Sequence, residues 1–393
     1  MTRAHTLLSI GPAVLLLCGA VPAAAQGWAS FTRDFDAYVD HDQVVGAGVV
    51  LVRHGQIVAH HERGWQDRDA REPVTERTIY HWGSITKTLT AVALMQLRDR
   101  GRVSLDDPIT RWVPELRRVR DPYGSIDSVT IGLLLSHAGG FQNPTWPYTN
   151  GKAWQPFEPT SWDQLVAMMP YQELLFRPGS RFGYSNPGFL YVARVIESIS
   201  GDPWETYVQK NILTPLGLTR SYFGVTPYHL ARDRSNNYTV TGAGVVANGR
   251  EFDPGITIPN GGWNAPMGDL AAYAGFLADS ASTVLRHATL EEMWRPRYPT
   301  VAPGVVDEEE AYGDSVGVSF FIVRRGGAPF VGHMGSQAGF RGFLYLNPRT
   351  GDAVIANFNT RNDVRPEDSM RGLIVVRNAA LDLIGDEQPR HRK

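Results

Sequence analysis

A chain of 393 residues with a formal net charge of -2, 42% hydrophobic and 20% charged residues has the balance of a globular protein. It offers neither a basic field for nucleic acid nor an acidic tail, and nucleic-acid binding is not expected. The length exceeds one ordinary hydrophobic core, so one large two-lobed domain or two domains is the starting expectation.

The first 25 residues read as a secretory signal. Arg3 and His5 form a basic start, Leu7 to Leu17 an apolar core, and Ala23-Ala24-Ala25 an A-x-A cleavage site before Gln26. That core is too short for a permanent membrane span. Cys18 invites lipidation, but Leu17 before it is bulky for the usual lipobox, so cleavage after Ala25 is expected. The only cysteine then leaves with the signal, which excludes disulfide and thiol chemistry from residues 26–393. The expected location is periplasmic or secreted.

A short helix is expected over Phe31 to Val39. Val44 to Val52 and Gln56 to Glu62, joined at His54-Gly55, read as a β-hairpin. A helix opens at Ser84 with the apolar run Leu89, Val92, Ala93, Leu94 and Leu97, and stops at Gly101. Helical patterns recur at Ile131 to Leu135, Trp162 to Met169, Phe189 to Ile199, Trp204 to Ile212 and Met267 to Leu277. Between Phe223 and Gly262 there is no clear period, which predicts long surface loop with short strands. Strands are predicted at Val316 to Val323, Pro329 to Gly332, Gly339 to Leu346 and Ala353 to Phe358, with Asn347 to Asp352 as the last turn. A final helix covers Glu367 to Ile384. Strands at both ends with helices between predict an α/β (α+β) fold. An α/β lobe would come from about 30–105 and 310–393, and a mostly helical lobe from about 106–309, in one catalytic unit spanning 26–393.

Lysine occurs only at Lys87, Lys152, Lys210 and Lys393, among 38 lysine and arginine residues. The chain uses arginine where it needs only positive charge, whereas a desolvated lysine can give up its proton and act as a base. Lys87 lies three residues after Ser84, hence on the same helix face. Alone, this pair reads first as an N-cap serine beside a snorkelling lysine. Two further stretches could complete a site with it. Tyr184-Ser185-Asn186 follows Arg177-Pro178-Gly179 and opens a helix, so the Tyr184 hydroxyl and Asn186 amide can face a cleft. His333-Met334-Gly335-Ser336 lies at a strand edge, where Gly335 permits close approach of a ligand.

Together the three stretches resemble the serine β-lactamase and penicillin-binding-protein superfamily. The likeness is to the branch holding class C β-lactamases, D-alanyl-D-alanine carboxypeptidases, D-aminopeptidases and related esterases. Leu134 to Gly140, Phe176 to Gly179, Pro215 to Leu218 and Gly332 to Phe340 carry the resemblance over nearly all of the chain after the signal. It implies a β-lactamase-like fold, with an antiparallel sheet flanked by helices plus a helical lobe, and a covalent serine hydrolase. Ser84 would be the nucleophile, Lys87 the amine that takes its proton, and Tyr184 the relay to the leaving group. Asn186, His333 and Gly335 would bind substrate, with His333 bonding Tyr184 or the leaving group. The backbone amides of Ser84 and Ser336 would form the oxyanion hole.

The third motif departs from the Lys-Thr-Gly of the family. His333 is mostly neutral at pH 7 and Met334 offers a thioether where a hydroxyl would stand, which weakens recognition of a carboxylate. Arg341 or Arg324 could replace that ligand. Phe141, Trp146, Tyr148, Trp154, Phe157, Trp162 and Trp263 either pack the helical lobe or line an apolar pocket. With Met334 they favour an esterase or amidase acting on small uncharged or apolar acyl substrates. A D-alanyl-D-alanine carboxypeptidase, D-aminopeptidase or weak β-lactamase is the alternative, followed by a receptor that keeps the fold without turnover. His54, His60 and His61 have no carboxylate or thiolate at ligand spacing and read as surface residues, so no metal and no cofactor is expected. Asn237-Tyr238-Thr239 matches a glycosylation sequon that a bacterial-type signal makes coincidental.

Overall fold

The computed structural model describes residues 23–141, 159–300 and 312–385. Residues 1–22, which hold Cys18 and most of the expected leader, and Trp146, Tyr148, Trp154 and Phe157, lie outside the described residues. Among the described residues, no helix is long and apolar enough to cross a membrane.

The centre is a nine-stranded antiparallel sheet built from both ends of the chain. Its strands in chain order are β1 (Gly46–Arg53), β2 (Gln56–Asp67), β3 (Glu72–Pro73), β4 (Tyr298–Pro299), β5 (Ser315–Val316), β6 (Phe321–Arg325), β7 (Ala328–Gln337), β8 (Phe340–Leu346) and β9 (Ala353–Phe358). In space they run β3-β2-β1-β9-β8-β7-β6-β5-β4. β1 and β9 are adjacent interior strands, and their continuous Val, Ile, Leu and Ala runs are buried on both faces. The β1–β2 hairpin closes through two residues, His54 (φ 49°) and Gly55 (φ 72°). Positive φ at both positions matches the turn to the right-handed twist of its strands.

Helices α1 (Ala23–His41) and α5 (Pro366–Leu383) cover one face of the sheet, with Phe35, Tyr38, Leu373 and Leu381 packed on Val49, Phe343 and Phe358. The other face receives α4 (Met267–Ala278). Beyond it lie α2 (Thr86–Asp99) and α3 (Asn186–Ser200), whose buried faces pack together in the larger core. A small sheet, Ile79–His81 with Trp263–Pro266 and Tyr222–Phe223, leads the chain into α2.

Several elements differ from expectation. The run Val316 to Val323 is two strands, because Ser319 takes a left-handed conformation (φ 68°) and folds β5 back on β6. The predicted strand ending at Gly332 continues to Gln337, paired through Gln337 and Phe340, so His333 to Ser336 lies inside β7 and not at its edge. Trp204 to Ile212 is α-helical only to Val208, then widens into a π turn over Gln209–Leu213. Ser84 does not cap a helix. It occupies a 3-10 turn, Gly83–Ile85, ahead of α2.

Candidate active site

The 3-10 turn at Gly83–Ile85 is fixed from three sides. Trp82 N–H donates to the Trp263 carbonyl (2.8 Å), and Trp263 N–H donates to Thr86 Oγ1 (3.0 Å). Thr86 Oγ1 in turn donates to the Gly83 carbonyl (2.6 Å). The turn then packs against β7, and this is where glycine matters. Gly83 has φ 49°, and a Cβ there would stand 2.8 Å from the Ser336 nitrogen. A Cβ on Gly335 would overlap the Trp82 carbonyl at 1.9 Å and lie 3.3 Å from the Ser84 nitrogen. Only glycine at 335 lets β7 approach the Ser84 backbone this closely.

The turn leaves Ser84 half-buried, with Lys87 one turn along and fully buried. Lys87 Nζ and Ser84 Oγ are 2.9 Å apart, and Nζ donates to the Asn260 carbonyl at 2.8 Å. Aromatic rings close the remaining side, with Nζ 5.1 Å from the Tyr184 ring centre and 5.7 Å from that of Phe189. Burial without a counter-charge holds the amine well below its ordinary range, favouring the neutral form. Enclosure pushes the Tyr184 phenol well above its usual range, reinforced by Tyr312 and partly offset by the Ser84 hydroxyl. Ser84 therefore stands between an amine biased to accept a proton and a phenol biased to keep one.

Ser84, Tyr184, Asn186, His333, Gly335 and Ser336 line one cavity of about 240 Å³. Chain segments a hundred residues or more apart thus supply one site. Asn186 begins α3 after Ser185, whose side chain accepts from Gly188 N–H as the N-cap. His333 is 2% exposed, and burial beside Lys87 pushes its imidazole down to about 3. Its Nδ1 contacts the Met334 carbonyl and its Nε2 has no partner among the described residues, so it does not bond Tyr184, whose ring centre is 6.4 Å away. Of the two partners expected for His333, Tyr184 is therefore not bonded, and a local contact turns the ring onto its own strand.

Met334, Met370, Leu373, Phe321 and Tyr312 supply the apolar wall of the cavity. Neither proposed substitute cation reaches it. Arg341 is buried on the α1–α5 side, donating to Ser369 Oγ, which donates to Asp42. Arg324 is exposed on β6 and does not line the cavity. The described members of the aromatic group are not in the cavity either. Phe141 and Trp162 pack on Tyr191, and Trp263 on Tyr273. His60 pairs with Glu62 and His61 with Asp36. Asn237 is buried, its amide bonded to Gly249 and Gly339.

Sequence reasoning missed Asn260, Tyr312 and the α5 residues Met370 and Leu373. Asn260 acts through its carbonyl, which any residue type carries, so no side-chain signal pointed to it. The α5 pair shares the helical period of residues that pack on the sheet, Leu373 does both, and only the docking of α5 reveals the second role.

Residues 31–378 match the family model described as Beta-lactamase. Esterase EstB of Burkholderia gladioli is 31% identical over 256 residues, covering 58% of this chain and 64% of that protein. The chain spans less than two thirds of the length of the curated relatives it matches. Among solved structures, the octameric penicillin-binding protein homologue from Pyrococcus abyssi is 26% identical with a TM-score of 0.71, covering 89% of this chain and 77% of that one. The D-amino acid amidase from Ochrobactrum anthropi SV3 shares the fold at 21% identity and a TM-score of 0.74, covering 91% and 98%.

Proposed function

The chain belongs to the β-lactamase family, and on that premise we propose that it is an exported serine hydrolase, an esterase or amidase on small neutral acyl substrates. One observation carries the reading: Ser84 Oγ lies 2.9 Å from a fully buried lysine amine and faces, with Tyr184, a cavity whose wall is apolar. Ser84 Oγ attacks the substrate carbonyl while Lys87 Nζ takes its proton. The backbone N–H groups of Ser84 and Ser336 hold the developing oxyanion. Tyr184 gives its proton to the departing oxygen or nitrogen and is reprotonated from Lys87. Water enters by the reverse path, so the acyl group leaves Ser84 as an acid. Asn186, at the cavity wall, holds the acyl carbonyl or amide. Export rests on the leader pattern of residues 1–25.

The substrate class rests on what lines the cavity. Among the described residues, a carboxylate in the cavity would meet the neutral His333 and Met334 and no arginine in its lining, and each lost charged hydrogen bond costs about 1.5–3 kcal/mol. A panel of p-nitrophenyl esters, D-amino-acid amides, D-Ala-D-Ala peptides and nitrocefin tests this reading. Turnover is expected for the short esters first, then for amides. Preferred release of D-alanine, or of hydrolysed nitrocefin, would replace the esterase reading with the D,D-peptidase or β-lactamase one. Acylation without turnover of any substrate would replace it with the receptor.

A further inference from the structure

Tyr184 is held by one residue that the reaction scheme leaves idle. His137 has a left-handed backbone (φ 54°), is 1% exposed, and reaches the Tyr184 segment in three ways. Its carbonyl accepts from Gly183 N–H at 2.8 Å, and its Nδ1 accepts from Ser185 N–H at 3.1 Å. The two residues flanking Tyr184 are therefore both bonded to His137. Its ring also stacks on the Tyr184 ring, with centres 4.3 Å apart and planes 23° apart. Tyr184 stacks in turn on Tyr312 at 5.0 Å and 20°. Accepting at Nδ1 places the imidazole proton on Nε2, which is buried without a partner among the described residues. A strained backbone and an orphaned buried donor both cost stability, and something must repay them.

We propose that His137 is a positioning residue for Tyr184. It clamps the backbone on both sides of the phenol and, with Tyr312, fixes the ring plane so that the hydroxyl meets Ser84 and the leaving group. This rests on the hydrolase reading above. Loss of this alignment weakens proton delivery to the leaving group, which matters most when the leaving group is a poor one.

The test is a series of butyrate esters from p-nitrophenyl through phenyl and trifluoroethyl to ethyl, measured with wild type, His137→Asn and Tyr312→Leu. Asparagine tolerates positive φ and keeps an acceptor for Ser185, but it lacks the stacking ring. For His137→Asn, kcat/KM for the ethyl ester is expected to fall about 100-fold, while the p-nitrophenyl ester stays within about threefold. Tyr312 is half-buried, so Tyr312→Leu perturbs the same stack if His137→Asn does not fold, and the same tilt toward good leaving groups is expected. A loss that is equal across the series, or no loss, overturns the proposal. Turnover of the p-nitrophenyl ester that survives Ser84→Ala would instead sink the hydrolase reading, whatever the His137 variant does.

Discussion

Ser84→Ala is expected to lower kcat/KM for the best ester by about 10⁴-fold or more, with a melting temperature close to that of wild type. The hydroxyl is half-buried at a cavity wall, where it accepts from Lys87 Nζ. Its removal leaves Lys87 its Asn260 carbonyl and leaves the turn held by Thr86 and Trp263. Activity and stability therefore separate at this residue. Steady-state kinetics beside a thermal melt of the same preparation checks both halves.

Lys87→Arg is the second large effect, because it keeps the positive charge of the residue class and removes the chemistry. A guanidinium stays protonated at any working pH, so it cannot take the Ser84 proton. A loss of about 10³-fold in kcat/KM is expected. The variant should also be less stable, since a permanent ion then sits among Tyr184, Phe189 and the Asn260 carbonyl with no counter-charge. Lys87→Met separates the two losses, being equally inactive but without the buried charge. The pH profile carries the same logic. The neutral amine is the working form, so activity falls as pH falls through the lysine pKa. Because burial depresses that pKa well below 10.5, activity persists far below the ordinary lysine range. His333, pushed down to about 3, stays neutral and adds no further limb between about pH 5 and 9. An acid limb near the ordinary lysine pKa, or wild-type rates in Lys87→Arg, would remove Lys87 from the role of base.

The elements with one strong period were the legible ones. Ile131–Leu135 and Ala353–Phe358 fall where the hydrophobic pattern puts them, and Met267–Ala278 is longer by one residue. What the pattern could not show was contact across the fold. Gly335 reads as room for a ligand, whereas the group that comes close to it is the Trp82 carbonyl of the turn packed on β7. Ser319 carries no special composition, yet its positive φ divides one apolar run into two strands. Within the site, Ser84, Lys87, Tyr184 and Asn186 were visible as side chains at meaningful spacings. His333 was visible too, but the ring it presents is bonded to its own strand, a matter of rotamer and not of residue type. His137 lay in a stretch that marked the family, while its hold on Tyr184 exists only once Leu134–Gly140 and Phe176–Asn186 are packed together.

The covalent intermediate is the centre of the account, and acid-quenched intact mass with peptide mapping measures it most directly. Wild-type protein mixed with a p-nitrophenyl ester and quenched within its first turnovers should gain the mass of one acyl group, mapped to Ser84, and Ser84→Ala should gain none. An acyl group on any other residue, or the same adduct on the Ser84→Ala protein, would contradict it.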